Sequence, residues 1–343
     1  MKIPVHSFML ACALLSIAPS IVADEKTDAL SSEVAAKGWL IYSARSDNGT
    51  WDLFLSRPDG SAARNLTNTA DYEEAAPRFS PDAAQILYRR LTKGETINHD
   101  QWGFSGQLLI AKPDGTDART VGEEGEYPWA SWMPGGKQVV CLEKKGIKIV
   151  ELATGTVTKQ MPRNGIYQQL FVSPDGKWFC GTGNVKGAAW NVVRMYAETG
   201  EVNPVHEFQS CTPDWFPDSQ RLIYSSRPEQ KNNGGYGCTQ LWINVGDGSM
   251  PEFIYGDESF HIYGGKVSPD GNYVLFTKCP KDGGGSEQNG APMYVMRLAD
   301  VPSIGGDSPE LRALHPNTKD GPILELAMGW EPDWTSTELG IEK

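Results

Sequence analysis

Histidine is the first residue to count when asking whether a chain can do chemistry. After residue 23 the sequence has only His99, His206, His261 and His315, with no His-x-His or His-x-x-x-His spacing. A metal ion needs ligands converging on one point, and these four are scattered along the chain. A serine nucleophile would sit on a Gly-x-Ser-x-Gly elbow; the nearest run, Gly103-Phe104-Ser105-Gly106-Gln107, lacks the second glycine in place. Paired carboxylates for glycoside hydrolysis stay open, because Asp and Glu are abundant and their separation is not legible in sequence. Ser46-Asp47-Asn48-Gly49-Thr50-Trp51 has the wrong spacing for a sialidase-type Asp-box. No cofactor is expected.

The elements that would position any site follow from an internal repeat. Ser80-Pro81-Asp82, Met133-Pro134-Gly135, Ser173-Pro174-Asp175, Phe216-Pro217-Asp218, Ser268-Pro269-Asp270 and Glu331-Pro332-Asp333 recur at propeller-blade intervals. Two residues before each proline stand Phe79, Trp132, Val172, Trp215, Val267 and Trp330, all large or β-branched. A short β-rich run follows each turn except the last, then a second run and a glycine turn such as Pro113-Asp114-Gly115. Each unit therefore reads as four strands, which cannot bury both faces alone but can between radial neighbours. The last unit supplies only its innermost strand, and the runs Gly38–Ser43, Trp51–Gly60 and Ala63–Thr67 supply what is missing. The expected fold is all-β: a six-bladed β-propeller of four-stranded blades, the last closed by N- and C-terminal strands.

Met1-Lys2, an apolar run from Phe8 to Ile17 and a small-residue end at Ala23 read as a secretory signal peptide over 1–23. A linker is expected over 24–37, the propeller over 38–336 and a tail over 337–343. No later segment is apolar enough to span a membrane. Lys and Arg total 31 against 43 Asp and Glu, a net charge of -12, which disfavours nucleic acid as a partner. Cys141, Cys180, Cys211, Cys238 and Cys279 remain after residue 23, an odd number, and only Cys238 and Cys279 lie in or beside Gly-rich loops where a disulfide is worth considering.

The run from Asp52 to Gly60, the Arg64-Asn65-Leu66-Thr67 after it, and Tyr72 to Asp82 resemble the WD40-like repeat of the TolB family. The resemblance covers almost all of the chain after residue 37. It implies the propeller but not a function, since the same repeat occurs in peptidase propellers and oligogalacturonate lyases; the periplasmic or secreted location is expected from the signal peptide. The α/β domain that precedes the TolB propeller has no counterpart in 24–37, which puts a Tol-Pal role in doubt.

In this arrangement both tight turns of a blade fall on one face, and the longer connections gather on the other. Ligand or partner contacts are expected from that long-loop face and from the mouth of the central channel, with Glu73, Glu74, His99, Asp100, Trp102, Trp129, Tyr167, Gln168, Arg227, Tyr236, His261 and Tyr263 as candidates. The bland reading of each is structural: inter-blade packing for Trp and Tyr, a solvated acidic edge for Glu73-Glu74, a hydrogen-bonded core residue for His261. The balance favours a non-catalytic binding module, monomeric, whose partner is an envelope protein or an oligosaccharide. The enzymatic alternative is a metal-dependent lyase resembling oligogalacturonate lyase.

Overall fold

The computed structural model describes residues 25–95, 106–127, 129–185, 190–206, 209–227, 238–247, 249, 251–257, 259–281, 290–300 and 321–341. The segment expected as a linker carries a helix, α1 (Glu25–Val34). Strands β1 (Trp39–Arg45), β2 (Trp51–Ser56) and β3 (Arg64–Asn65) follow. Next come β4 (Tyr72–Phe79), β5 (Ile86–Thr92), β6 (Gln107–Ala111) and β7 (Arg119–Val121). The second unit holds β8 (Trp129–Trp132), β9 (Gln138–Leu142), β10 (Ile147–Glu151) and β11 (Val157–Met161). The third holds β12 (Ile166–Val172), β13 (Trp178–Gly183), β14 (Asn191–Tyr196) and β15 (Val202–Pro204). The fourth holds β16 (Ser210–Trp215), β17 (Leu222–Ser226), β18 (Gln240–Asn244) and β19 (Glu252–Tyr255). Last are β20 (Phe260–Val267), β21 (Tyr273–Pro280), β22 (Ala291–Arg297) and β23 (Ile323–Thr335).

The all-β propeller architecture is present, but not as six separate four-stranded blades. Four sheets stand alone with four antiparallel strands each, and the fifth is seven-stranded in the order β20-β21-β22-β23-β1-β2-β3. The cause is β23, one unbroken strand of 13 residues. Its first part pairs with β22 (Ala291↔Gly329, Met296↔Ile323) and its last part with β1 (Trp39↔Thr335, Ser43↔Trp330). The N- and C-terminal strands therefore pair directly.

The Ser-Pro-Asp motif has a concrete job at the ends of β4, β12 and β20. The Ser80 hydroxyl donates to Asp82 Oδ1 at 2.7 Å and accepts from Gln85 N at 2.9 Å, while Ala84 N donates to the same carboxylate at 3.0 Å. Ser173 with Asp175 and Ser268 with Asp270 repeat the first contact at 2.7 Å. The turn is thus held by side chains where the backbone lacks partners.

A second recurrent device was not legible as a repeat. Ala76, Gln169, Thr212 and Glu331 have φ of 54°, 57°, 49° and 48°, and Gly264 has 67°. Pairing slips at each of these points, between Ala75 and Arg78, Gln168 and Phe171, Cys211 and Asp214, Tyr263 and Lys266, and, on the partner strand of β23, Ile41 and Ser43. Such bulges bend the strand and re-aim the next side chains. They also correct the register expected at the C-terminus. Glu331-Pro332-Asp333-Trp334 matches Thr212-Pro213-Asp214-Trp215, not the Ser-Pro-Asp turn, so the counterpart of Trp215 is Trp334 and not Trp330. The hydrogen bonds agree: Asp214 Oδ2 accepts from Val267 N at 3.1 Å, and Asp333 Oδ2 from Phe79 N at 2.7 Å.

The seam between the termini is reinforced from both sides. Leu30 and Val34 of α1 are wholly buried against Tyr273, Leu324, Leu326 and Trp334. Glu33 is hydrogen-bonded to Tyr273 and Arg297, and Trp334 Nε1 donates to Lys37 O at 2.8 Å. The C-terminal segment returns across β2: Glu338 takes Arg57 through a two-pronged pair at 2.8 and 2.9 Å, and the guanidinium lies 3.9 Å from the Trp39 ring centre. Leu339 is buried beside Leu55 and Ile86.

Gly38 opens β1 at φ 95°, and a Cβ there would stand 1.9 Å from Thr335 O. The Gly38→Ala variant should therefore lose about 1–3 kcal/mol from backbone strain, with the clash added, read as a lowered melting temperature. An unchanged melting temperature would mean that the seam does not limit stability.

Candidate functional site

The bulges set the geometry of the propeller axis. One residue past each slip, or at the matching place in β8, stand Arg78, Ser131, Phe171, Asp214, Lys266 and Asp333. All six line one cavity of about 580 Å³. Its rim is made by the tight turns, with Pro81, Pro134, Pro174, Pro217 and Pro269, and its wall by Trp132, Trp215 and Trp334. The cavity thus opens on the tight-turn face. Its volume falls within the range of about 300–1,000 Å³ typical of small-molecule sites. A smaller space of about 50 Å³ shares Arg78, Phe171, Asp214 and Lys266 with it and is further lined by Gln169, Thr212 and Glu331. That is room for water molecules.

The floor is a charge network. Lys266 Nζ lies 3.3 Å from Asp214 Oδ1 and 2.9 Å from Asp333 Oδ1. Burial alone would lower the lysine pKa, but the two carboxylates outweigh it and hold Lys266 protonated well above the usual lysine range. Burial raises the Asp214 pKa, opposed by Lys266 and the Val267 N–H. Arg78 stands beside this group with its guanidinium 5.0 Å from the Phe171 ring centre. These groups can hold a ligand by charge-assisted hydrogen bonds and aromatic contact. The lining contains no histidine or cysteine to act as base or nucleophile.

The described residues among those singled out from sequence lie elsewhere. His99, Asp100, Trp102 and Tyr236 fall outside the described residues. The other eight do not line the cavity and are distributed around the ring rather than gathered at one point. Glu73 and Glu74 are buried and not a solvated edge. Glu73 accepts from Trp51 N at 2.7 Å and Gly94 N at 3.1 Å, tying β4 to β2. Glu74 takes Arg90 Nε at 3.1 Å and the Thr69 hydroxyl at 2.9 Å; burial raises its pKa against these contacts. Trp129 packs in the core between the second and third blades, and Gln168 is buried in β12 while its neighbour Tyr167 is half-buried.

Among the described candidates, Arg227, His261 and Tyr263 form a local group. The His261 and Tyr263 rings stack at 5.7 Å, and His261 Nδ1 accepts from Thr239 N at 3.1 Å. Burial and then the Arg227 charge lower the His261 pKa, so the neutral ring is the folded form. Its stabilising contribution is complete above the ordinary histidine pKa and is lost as pH falls through the depressed one. Among the described residues no three of His, Cys, Asp and Glu are grouped to hold a metal ion. Sequence reasoning missed the axial residues because it followed the loops. The available signal was the X-Pro pair four residues before the turn, in Ala76-Pro77-Arg78 and Thr212-Pro213-Asp214, since proline within a strand marks an edge or a bulge.

Two substitutions separate support from site. Lys266→Met leaves two buried carboxylates facing one another and should cost about 3–5 kcal/mol in urea unfolding at neutral pH. Those carboxyls would have raised folded pKa values, so the variant's deficit should shrink as pH falls through the carboxylate range; a deficit independent of pH would refute the pairing. Glu73→Ala leaves two amides unpaired and should cost about 1–3 kcal/mol while the axial cavity keeps its shape.

No family model matches the chain, and no curated protein matches it. Solved structures do. TolB from Acinetobacter baumannii superposes with a TM-score of 0.61 at 17% identity, covering 87% of this chain and 67% of that one. A TolB-type protein from Agrobacterium tumefaciens gives 0.56 at 18% identity, covering 87% and 93%. A chain of a nidogen/laminin complex gives 0.52 at 9% identity, covering 76% and 90%. The fold is that of a TolB-like β-propeller.

Proposed function

We propose that this chain is a secreted or periplasmic, non-catalytic binding module whose ligand or partner seats on the propeller axis at the tight-turn mouth. The observation that carries the reading is the cavity of about 580 Å³ floored by the ends of all the innermost strands. Side chains on strand ends braced by bulges and stapled turns are already ordered, so a ligand meets them without the entropic cost of ordering a loop. In this reading the seven-stranded sheet acts as two blades sharing β23, which makes six wedges around the axis. The recurrence of the positive-φ bulge in β23 as in β4, β12, β16 and β20 supports that count. No helix of the described residues is long and apolar enough to cross a membrane. The 1–23 segment is read as a signal peptide, the partner as an envelope protein or an oligosaccharide, and the chain as a monomer.

The test fills the axis. Ser131 lines the cavity and is mostly buried there. Ser131→Trp should abolish capture of a partner from envelope extract while leaving the melting temperature within a few degrees of wild type. A matched double variant on the other face, Arg227→Ala with His261→Ala, should capture normally. The reverse pattern would move the site to the long-loop face, and equal capture by all three would remove the axial reading.

A further inference from the structure

The four charges on the cavity floor are not equivalent. In ring order they run Asp214, Lys266, Asp333, Arg78, with Ser131 and Phe171 completing the circle. The first three engage one another: each Asp gives one oxygen to Lys266 and the other to a backbone N–H, Val267 for Asp214 and Phe79 for Asp333. Arg78 has no carboxylate partner among the described residues. Its Nη1 donates to Pro77 O at 2.6 Å and Glu331 O at 2.8 Å, and Phe171 supports the guanidinium plane. Nε and Nη2 donate to no described residue, and neither is sealed from solvent. That lateral edge is the one with which arginine grips a carboxylate through two parallel hydrogen bonds.

Resting on the binding-module reading, we infer that the Nε/Nη2 edge of Arg78 is the receptor for a single carboxylate on the ligand that enters the tight-turn mouth. Three physical points select this class. The guanidinium is already fixed by two carbonyls and a ring, so little side-chain entropy is lost when an anion docks. The four floor charges sum to zero, two positive and two negative, and Arg78 is the cation among them with no carboxylate in contact, so one ligand carboxylate meets one free guanidinium edge. A phosphate, at about −1.5 to −2, would bring a second charge to face Asp214 and Asp333 with no cation left to meet it. The cavity is also much larger than a carboxylate, and the three indoles of its wall offer contact to a compact apolar or sugar-ring body. The chain's net charge of -12 works against anions at long range, but screening confines that to about 8 Å at physiological salt. A preference for acids must therefore come from the floor itself.

The experiment is calorimetric titration of the full chain with two matched pairs: N-acetylphenylalanine against its amide, and galacturonate against galactose. The acid of at least one pair should bind, with its neutral mate at least tenfold weaker, and which pair responds distinguishes a peptide-type from a sugar-type source. Arg78→Gln keeps an N–H for the two carbonyls but loses charge and fork; it should weaken the acid at least tenfold and leave the neutral mate unchanged. Arg78→Lys, which keeps the charge without the fork, should fall between, and it carries the test if the glutamine variant melts early. Acid and neutral probes binding alike, or acid affinity unchanged in both variants, would overturn the carboxylate assignment while the cavity still binds. No binding by any probe would also overturn it, and the Ser131→Trp capture would then decide the wider reading alone.

Discussion

Every sheet in this chain is apolar on both faces, and a four-stranded sheet can hide both only between two neighbours. The ring must therefore close, and closure rests on the pairing of β1 with β23. The surrounding structure protects that pairing. Strand β23 is anchored in β22 before it reaches β1, so the closing strand cannot leave without breaking its pairing on the other side of the same sheet. Helix α1 covers one side of the seam with Leu30 and Val34, and the Arg57–Glu338 pair draws the C-terminal segment over the other. An exposed ion pair of that kind contributes little alone. Here it holds Leu339 in an apolar contact, and the burial is the larger effect.

The parts of this design that were legible in the sequence are those that repeat locally. The Ser-Pro-Asp staple needs its residues within five positions, so each copy can be recognised, and the complementary half-units at the two ends announced the strand exchange. The last copy was misread because it contains one proline where the first contains two. Pro332 matches Pro77, not Pro81, and only the bulge geometry tells them apart. The helix went unread for another reason. Its apolar contact comes from Leu30 and Val34 alone, one turn apart in a polar segment, and two such residues do not make a periodic signal. The continuity of β23 was also hidden, since most of the stretch between β22 and β23 carries no repeat motif.

The site was the least legible part, and the reason is geometric. In a regular strand, side chains alternate strictly, so Arg78, Asp214, Lys266 and Asp333 should be placed by parity alone. Each inner-strand bulge inserts a residue and shifts that parity, which turns these side chains toward the axis. Left-handed backbone at Ala76, Gln169, Thr212 and Glu331 costs of order 1–3 kcal/mol apiece where a side chain is bulky. Strain of that size recurring at one level of the ring is tolerated because the neighbouring blades over-determine it. Its result is a floor of four charged groups where an unbroken alternation would set a different row of side chains.

Burying charge on an axis is costly unless it is paired, and Lys266 between two carboxylates meets that condition within the protein. The triad is therefore a strut: it joins through side chains β16, β20 and β23, three strands that do not pair with one another. A group so fully engaged is a poor general acid or base, because giving up its proton would leave two buried carboxylates unopposed. The same holds on the other face for His261, whose Nδ1 is occupied by an amide and whose neighbour Arg227 disfavours its protonation. Both sets of titratable groups are thus poised to stay in one protonation state. Held in this way, both sets act as fixed parts of the scaffold that keep their charges and their positions together.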